Sequence, residues 1–375
     1  TVVAGYKNGK EVLAAVQRGI TRLRSLHEGG RWRGFPTLAG ESDIWVTAFV
    51  AAHLRELSPR HAALAEARAY LAAQLRLHSG WSYGGDVPPD ADSTAWCLMA
   101  LRGSPQISPS ARSEAQEFLS SHQSEIGTAT YREETGIREY IGVGPAVSLA
   151  GWTSAHPDVS VAAVLAGVPR LGSGASLAVL RRLAACQSGA GFWDAYWWRG
   201  PFYTSALLLR AVQRVNHRLP EPHAQCILAA LKREQLANGG FALGASLEPD
   251  PFTTALALEC YTHLAYFGGE QGRRAAVSAL LELECGKLGW SGEYTMRIPA
   301  PDVVDPARVS EWARGTGGGN SFVMDTDGVF ATTLACFALV RSHAVENKGI
   351  LEEKPTLSIP REPFPDDAVV TLSRR

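Results

Sequence analysis

The stretch DADSTAWCLMAL, Asp90–Leu101, has five counterparts in the same 375-residue chain. They are DIWVTAFVAAHL from Asp43, DVSVAAVLAGV from Asp158, GPFYTSALLLRAV from Gly200, DPFTTALALECY from Asp250 and DGVFATTLACFAL from Asp327. Each opens on Asp or Gly, residues that satisfy or tolerate the free N–H groups of a first helical turn. A small residue or Thr follows four positions later, then an apolar, alanine-rich run. Helices apolar on most faces are buried on most sides.

A more amphipathic stretch precedes each of the six, with Arg, Glu and Gln on one face. These stretches are Glu11–His27, Ala62–His78, Pro109–His122, Ser176–Gln187, Glu221–Gln235 and Gly272–Cys285. Most end in a glycine-aromatic turn: GGRWRGF, SGWSYGG, GAGFW, NGGF and GKLGW. Glycine ends a helix in the left-handed conformation, and the aromatic plugs the junction to the next. Alternating outer and inner helices predict an all-α fold closed into an (α/α)6 barrel over residues 1–345, with an open solenoid as the alternative. Residues 346–375 are a Pro-rich tail, extended along the outside or partly disordered. Two connections are long, Glu125–Pro157 and the Gly- and Pro-rich Ser291–Asp325, and they read as binding loops or lids, or as surface decoration.

Composition narrows the function. The chain is 46% hydrophobic and 19% charged, as a folded globular protein is, and its net charge of −1 argues against broad nucleic-acid binding. Six scattered cysteines without a C-x-x-C favour a reducing, cytoplasmic setting and neither zinc nor a disulfide framework. No apolar stretch approaches the ~18 residues of a membrane span, so only peripheral membrane contact is left open. No signal peptide is visible, although the sequence lacks an initiator Met, which leaves open that its true start is trimmed. Composition says nothing of the oligomeric state.

Asp90 shares its phase with Asp43, Asp158, Asp250 and Asp327 and reads as the common N-cap. Asp92 differs: the positions aligned with it are Trp45, Ser160, Phe202, Phe252 and Val329. In a closed ring all six stand at one height. A carboxylic acid among aromatic rings stays protonated at neutral pH, because burial penalises the charged form. An ionised Asp90 would push further in that direction, while the helix N-terminus pulls the other way. Such an acid can protonate a very weak base such as an alkene, and π-faces can stabilise the cation formed. The competing reading is a second capping acid in a polar first turn.

DADSTA, Asp90–Ala95, resembles the D-x-D-D-T-A motif of class II terpene cyclases, the superfamily of squalene–hopene cyclases and of bacterial and plant diterpene cyclases. QSGAGFW, Gln187–Trp193, fits the Q-x-x-x-G-x-W repeat of that superfamily, and QLANGGF, Gln235–Phe241, fits it with Phe for Trp. The resemblance covers roughly residues 10–345 and implies the same (α/α)6 barrel. It implies Asp92 as proton donor and Asp90 as an assistant through hydrogen bonding. The fourth motif position, usually Asp, is Ser93 here. Family members typically carry a second helical domain, and many polyprene cyclases dock onto membranes; this chain has room for one barrel. Zinc of the prenyltransferase kind is not expected, since no D-x-C with a suitably placed His occurs. The thioester and D-D-x-x-D motifs of related proteins are also absent.

Further candidates surround this core. His156, at the mouth of the third inner helix, would hydrogen-bond to Asp92 or be an exposed turn residue. Asp325 would contact a ligand or only its glycine-rich loop. Trp197, Trp198, Phe202 and, more weakly, Tyr83, Trp96 and Tyr294 would face the cavity or plug junctions. Arg31, Arg33 and Arg199 would grip a diphosphate or be rim charges. The leading expectation is a cyclase acting on an apolar isoprenoid or isoprenoid-derived small molecule. No cofactor is expected, with Mg²⁺ involved only if the substrate is a diphosphate. The alternatives are a related enzyme turned to acid-assisted chemistry on a non-terpenoid intermediate, and a non-catalytic toroid with Asp92 turned outward or salt-bridged. The leading reading expects Asp92 to share a cavity of a few hundred Å³ with at least two of Trp45, Phe202 and Phe252, under Ser291–Asp325.

Overall fold

In the computed structural model, residues 9–76, 80–315 and 318–348 are described. Six outer helices, Gly9–Ser25, Ala62–Ala73, Pro109–Ser121, Gly174–Ala185, Glu221–Glu234 and Glu270–Glu282, alternate with six inner ones. The inner helices are Ile44–Leu57, Ala91–Ala100, Pro157–Ala166, Phe202–Arg214, Pro251–His263 and Val329–Lys348. Each inner helix packs on the next, and the sixth packs on the first, so the barrel is closed. The expected outer helices match in place, and their ends move by a few residues, where helices fray. The tail beyond Lys348 lies outside the described residues.

One repeated contact sets the register. The fourth residue of every inner helix is Ser or Thr: Thr47, Thr94, Ser160, Ser205, Thr254 and Thr332. Each hydroxyl accepts the backbone N–H of the preceding junction residue, from Trp32, Trp81, Thr128, Trp193, Phe241 and Trp290 respectively, at 2.8–3.2 Å. Where the junction residue is Trp, its indole N–H donates to a leucine carbonyl in the outer helix before it, at Leu23, Leu71, Leu183 and Leu280. Buried polar groups are thus paired at each corner.

This register corrects the alignment read from the caps in three repeats. The third inner helix is preceded by His156, not by Asp158, which is its second residue. The fourth starts at Phe202 after Pro201, and the sixth at Val329. The residues in second place are therefore Trp45, Asp92, Asp158, Tyr203, Phe252 and Phe330. The cap roles also part: Asp90 and Asp250 accept the N–H of Ser93 and Thr253, whereas Asp43 makes no cap bond. At the sixth helix Asp325 accepts from Ala331, and Asp327 instead faces Arg22 at 3.7 Å.

Both long connections lie over the end of the barrel where the inner helices begin. In the first, β1 (Thr128–Ala129) pairs antiparallel with β2 (Ala155–His156). In the second, β3 (Met296–Ile298) pairs antiparallel with β5 (Ser321–Val323), which runs parallel to β4 (Ala313–Arg314). The two meet at Gly151, whose N–H donates to Pro301 O at 2.8 Å and where a Cβ would fall 2.3 Å from Val303 O. Trp152 Nε1 adds a bond to Pro299 O.

One described helix, through Val329–Glu346, is long and apolar enough to cross a membrane, contrary to the sequence expectation. It is the sixth inner helix, two-thirds of that window is buried, and its apolar surface is covered by the barrel.

Candidate active site

A cavity of about 590 Å³ opens between the two long connections, the Thr37–Ala39 hairpin tip and the first turns of the first two inner helices. Asp90, Asp92, Ser93, Trp45, Trp197 and Trp198 are on its wall. Asp92 Oδ2 accepts the indole N–H of Trp45 at 2.8 Å, a bond between neighbouring inner helices. Among the described residues its other oxygen has no hydrogen-bond donor in good geometry, and the residue keeps accessible surface deep in the protein because it faces the cavity. Its pKa is pushed well above 3.8, first by burial and then by the charges of Asp90 and Asp158, against the N–H groups of Trp45 and Trp96.

Asp90 is fully engaged. Its Oδ1 accepts Ser93 N–H at 2.7 Å and its Oδ2 accepts Ser93 Oγ–H at 2.6 Å. Burial raises its pKa to about 7, and the Ser93 bonds hold it from rising further. The serine in the fourth motif position therefore acts on Asp90.

The cavity floor is aromatic. Trp198 lies across the barrel axis, stacked on Phe330 (4.6 Å between ring centroids), Tyr203 (4.8 Å) and Trp45 (5.3 Å). That placement explains two departures from expectation. Phe252 is not on the wall, because Trp198 covers it at 6.1 Å. Phe202, as the first residue of its helix, turns to the junction and packs on Phe192 and Phe241. Asp92 thus shares the cavity with one of the three expected aromatics, Trp45, and with Trp197 and Trp198 from the loop.

His156 does not reach Asp92. Its Nε2 is 2.8 Å from Gly151 O, and its Nδ1 is 3.0 Å from Thr130 Oγ1. A carbonyl only accepts, so Nε2 carries the proton. Burial pulls the pKa down to about 3, so the ring is neutral and Nδ1 accepts from the Thr130 hydroxyl. Thr130 Oγ1 in turn accepts from Trp197 Nε1 at 2.8 Å. Asp325 is away from the cavity, its carboxyl spent on the sixth helix. Asp158 holds the wall from behind, accepting the N–H groups of Tyr196 and Trp197 at 3.0 and 3.1 Å. Arg297 on β3 clamps the same turn through its donation to Tyr196 O.

None of the expected arginines lines the cavity. Arg31 pairs with Asp43 at 3.3 Å, Arg33 is exposed, and Arg199 donates to Tyr294 O while lying over the Phe322 ring. Tyr83 is on the wall; Trp96 lies beneath Trp45 and Tyr294 is not on the wall. No Lys, Arg or His is among the described lining residues, and no described cluster of three or more His, Cys, Asp or Glu could hold a metal. The reading with Asp92 turned outward or salt-bridged does not match this placement. Sequence reasoning missed Thr130, Tyr131, Tyr140 and Trp152, which the first long connection brings to the wall.

No protein-family model and no curated protein sequence matches the chain. Solved structures do. The type II terpene cyclase MstE from Scytonema, in complex with its substrate geranylgeranyl dihydroxybenzoate, is 26% identical, with a TM-score of 0.81 over 89% of this chain and 98% of that one. A protein from Actinoplanes is 29% identical, with a TM-score of 0.79 over 89% and 100%. The ent-copalyl diphosphate synthase from Streptomyces platensis, 17% identical, matches 80% of this chain and 50% of its own at a TM-score of 0.51, a likeness of fold. The protein has the class II terpene cyclase-like fold. It is an enzyme of the cyclase, or isomerase, kind.

Proposed function

We propose that the protein is a protonation-initiated cyclase of an isoprenoid-derived substrate, with Asp92 as the general acid. The observation that carries the reading is a buried, cavity-facing carboxyl with one oxygen fixed by Trp45 and no basic side chain among the described lining residues. With Oδ2 held by an N–H, the acidic proton belongs on Oδ1, toward the cavity. An alkene π-bond takes that proton to form a C–H bond, and leaves a tertiary cation and the Asp92 carboxylate. The faces of Trp45, Trp197 and Trp198 on the largely apolar wall stabilise the cation. Internal alkenes then close rings, and loss of a proton ends the reaction. This chemistry calls for no cofactor.

The wall also bears on the substrate. A diphosphate inside it would meet no positive side chain among the described residues, and desolvating that charge unpaired is costly. A neutral or aromatic head group fits better, as in the prenylated dihydroxybenzoate bound by MstE. The test is turnover by purified protein of a panel holding prenylated phenols, prenylated benzoates and geranylgeranyl diphosphate. Asp92→Asn is expected to lower cyclisation about 10²- to 10⁴-fold, the usual contribution of a general acid. Full activity in that variant would sink the mechanism, and exclusive turnover of the diphosphate would sink the substrate class.

A further inference from the structure

The acid that starts such a reaction is balanced by a base that ends it, and we infer that Thr130, backed by His156, is that base. The inference rests on the reading of Asp92 as the initiating acid. Among the described lining residues, Thr130 is the one hydroxyl bonded to an imidazole. The other wall hydroxyls with partners give their protons elsewhere: Thr37 to Gly40 O, Tyr83 to Phe35 O and Ser93 to Asp90. The directions at Thr130 are fixed by the ends of the chain. Gly151 O forces the proton of His156 onto Nε2, so Nδ1 is the acceptor and Thr130 Oγ1 the donor. Trp197 Nε1–H occupies one lone pair of that oxygen, and the other remains for the cavity.

The step balances. A C–H bond next to the cationic carbon breaks, and its electron pair becomes the product's C=C bond. The proton passes to Thr130 Oγ1 as the Thr130 hydroxyl proton moves to His156 Nδ1, giving an imidazolium. That ring lies 3.7 Å from Tyr196, at 8° between planes, a π-face that favours the charge. Burial opposes a lasting imidazolium. The two transfers therefore run backwards into solvent once product leaves, and Asp92 regains a proton. Cyclisation takes one proton and returns one, as an isomerisation must.

The test is the product spectrum of Thr130→Val, Thr130→Ser and His156→Phe with the substrate found on the panel above, each variant checked by thermal melting. Thr130→Val and His156→Phe are expected to consume substrate, and the share of the native alkene isomer should fall about tenfold or more, replaced by other isomers or water-captured alcohol. Thr130→Ser should restore the native isomer, which a packing defect would not predict. If Thr130→Val does not fold, His156→Phe and Thr130→Ser decide. An unchanged isomer in the folded Thr130→Val and in His156→Phe overturns the inference, as does a wild-type product that ends in a hydroxyl from water. Asp92→Asn separates the two failures: if it is inactive while Thr130→Val keeps the native isomer, the base is wrong and the acid stands.

Discussion

The second and fifth inner helices begin alike and diverge one turn in. Asp90 and Asp250 precede them, each accepting an N–H and a hydroxyl from the residue three places on, Ser93 or Thr253, with hydroxyl distances of 2.6 Å in both. Burial raises both carboxyls, Asp90 to about 7 and Asp250 to about 6. Each helix also places one acid inside the barrel. On the second it is Asp92, at the mouth, facing a cavity, with one oxygen on the Trp45 indole N–H. On the fifth it is Glu259, completely buried, gripped by Arg210 at 2.7 and 3.0 Å. His53 completes that cluster, its Nδ1 on Phe49 O and its Nε2 facing Arg210. Burial alone therefore does not make an acid catalyst. A cation within reach turns the carboxyl into a structural ion pair, whereas a carboxyl without one is pushed to keep its proton.

The largest effect should come from breaking the paired acid. Arg210→Met leaves Glu259 buried and uncompensated, which should destabilise the fold by about 3–5 kcal/mol. Arg210→Met with Glu259→Met should recover most of that loss, since apolar residues of similar volume replace buried ion pairs at little net cost. Urea denaturation measures both. A single variant within 1 kcal/mol of wild type would mean that the pair is not the counterpart of Asp92 that its geometry describes.

The unpaired acid should respond to pH instead. The folded pKa of Asp92 lies well above its ordinary 3.8, so the folded state keeps a proton that the unfolded chain releases. Its contribution to stability is full below 3.8 and is lost as pH rises towards and through the raised value. Asp92→Asn does not titrate, so its stability relative to wild type should climb with pH across that window, by up to about 1.4 kcal/mol per pH unit. Denaturation curves between pH 4 and 8 test the slope. A difference that is flat or falls with pH would place Asp92 in the class of Glu259.

The comparison also shows what a sequence can carry. The helix pairs were legible because the inner runs are apolar all round and the outer ones are amphipathic. Asp92 stood out because its own repeat is regular. The register of the third, fourth and sixth repeats was not legible from caps: His156 and Pro201 are weak cap signals, and Asp325 reaches its helix from outside the aligned segment. The hydroxyls of Ser160, Ser205 and Thr332 carried the missing signal, since each answers a junction N–H. Thr130, Tyr131 and Trp152 sit in a connection without helical period, and only tertiary folding brings them to the wall. Trp198 was a candidate by its neighbourhood, but its position across the axis, hiding Phe252, depends on several helices at once.

The smallest change in stability makes the sharpest contrast in activity. Asparagine caps helices about as well as aspartate, so Asp90→Asn and Asp250→Asn should each alter stability by only a few tenths of a kcal/mol. Their amide oxygens can still accept from Ser93 and Thr253 N–H, and the hydroxyls can turn to accept from the amide. The charge is what disappears. Ionised Asp90 is the strongest of the neighbouring charges that raise Asp92, whereas Asp250 is not among the groups acting on it. Removing the charge at Asp90 lowers the pKa of Asp92. As the proposed acid, Asp92 would act in its protonated form, so activity should fall as pH rises through that pKa, and the descending limb of kcat/KM should move to lower pH in Asp90→Asn. In Asp250→Asn the limb should stay where wild type has it. Profiles of the two variants that coincide would show Asp90 to be a cap of the same kind as Asp250, with no part in setting the acidity of Asp92.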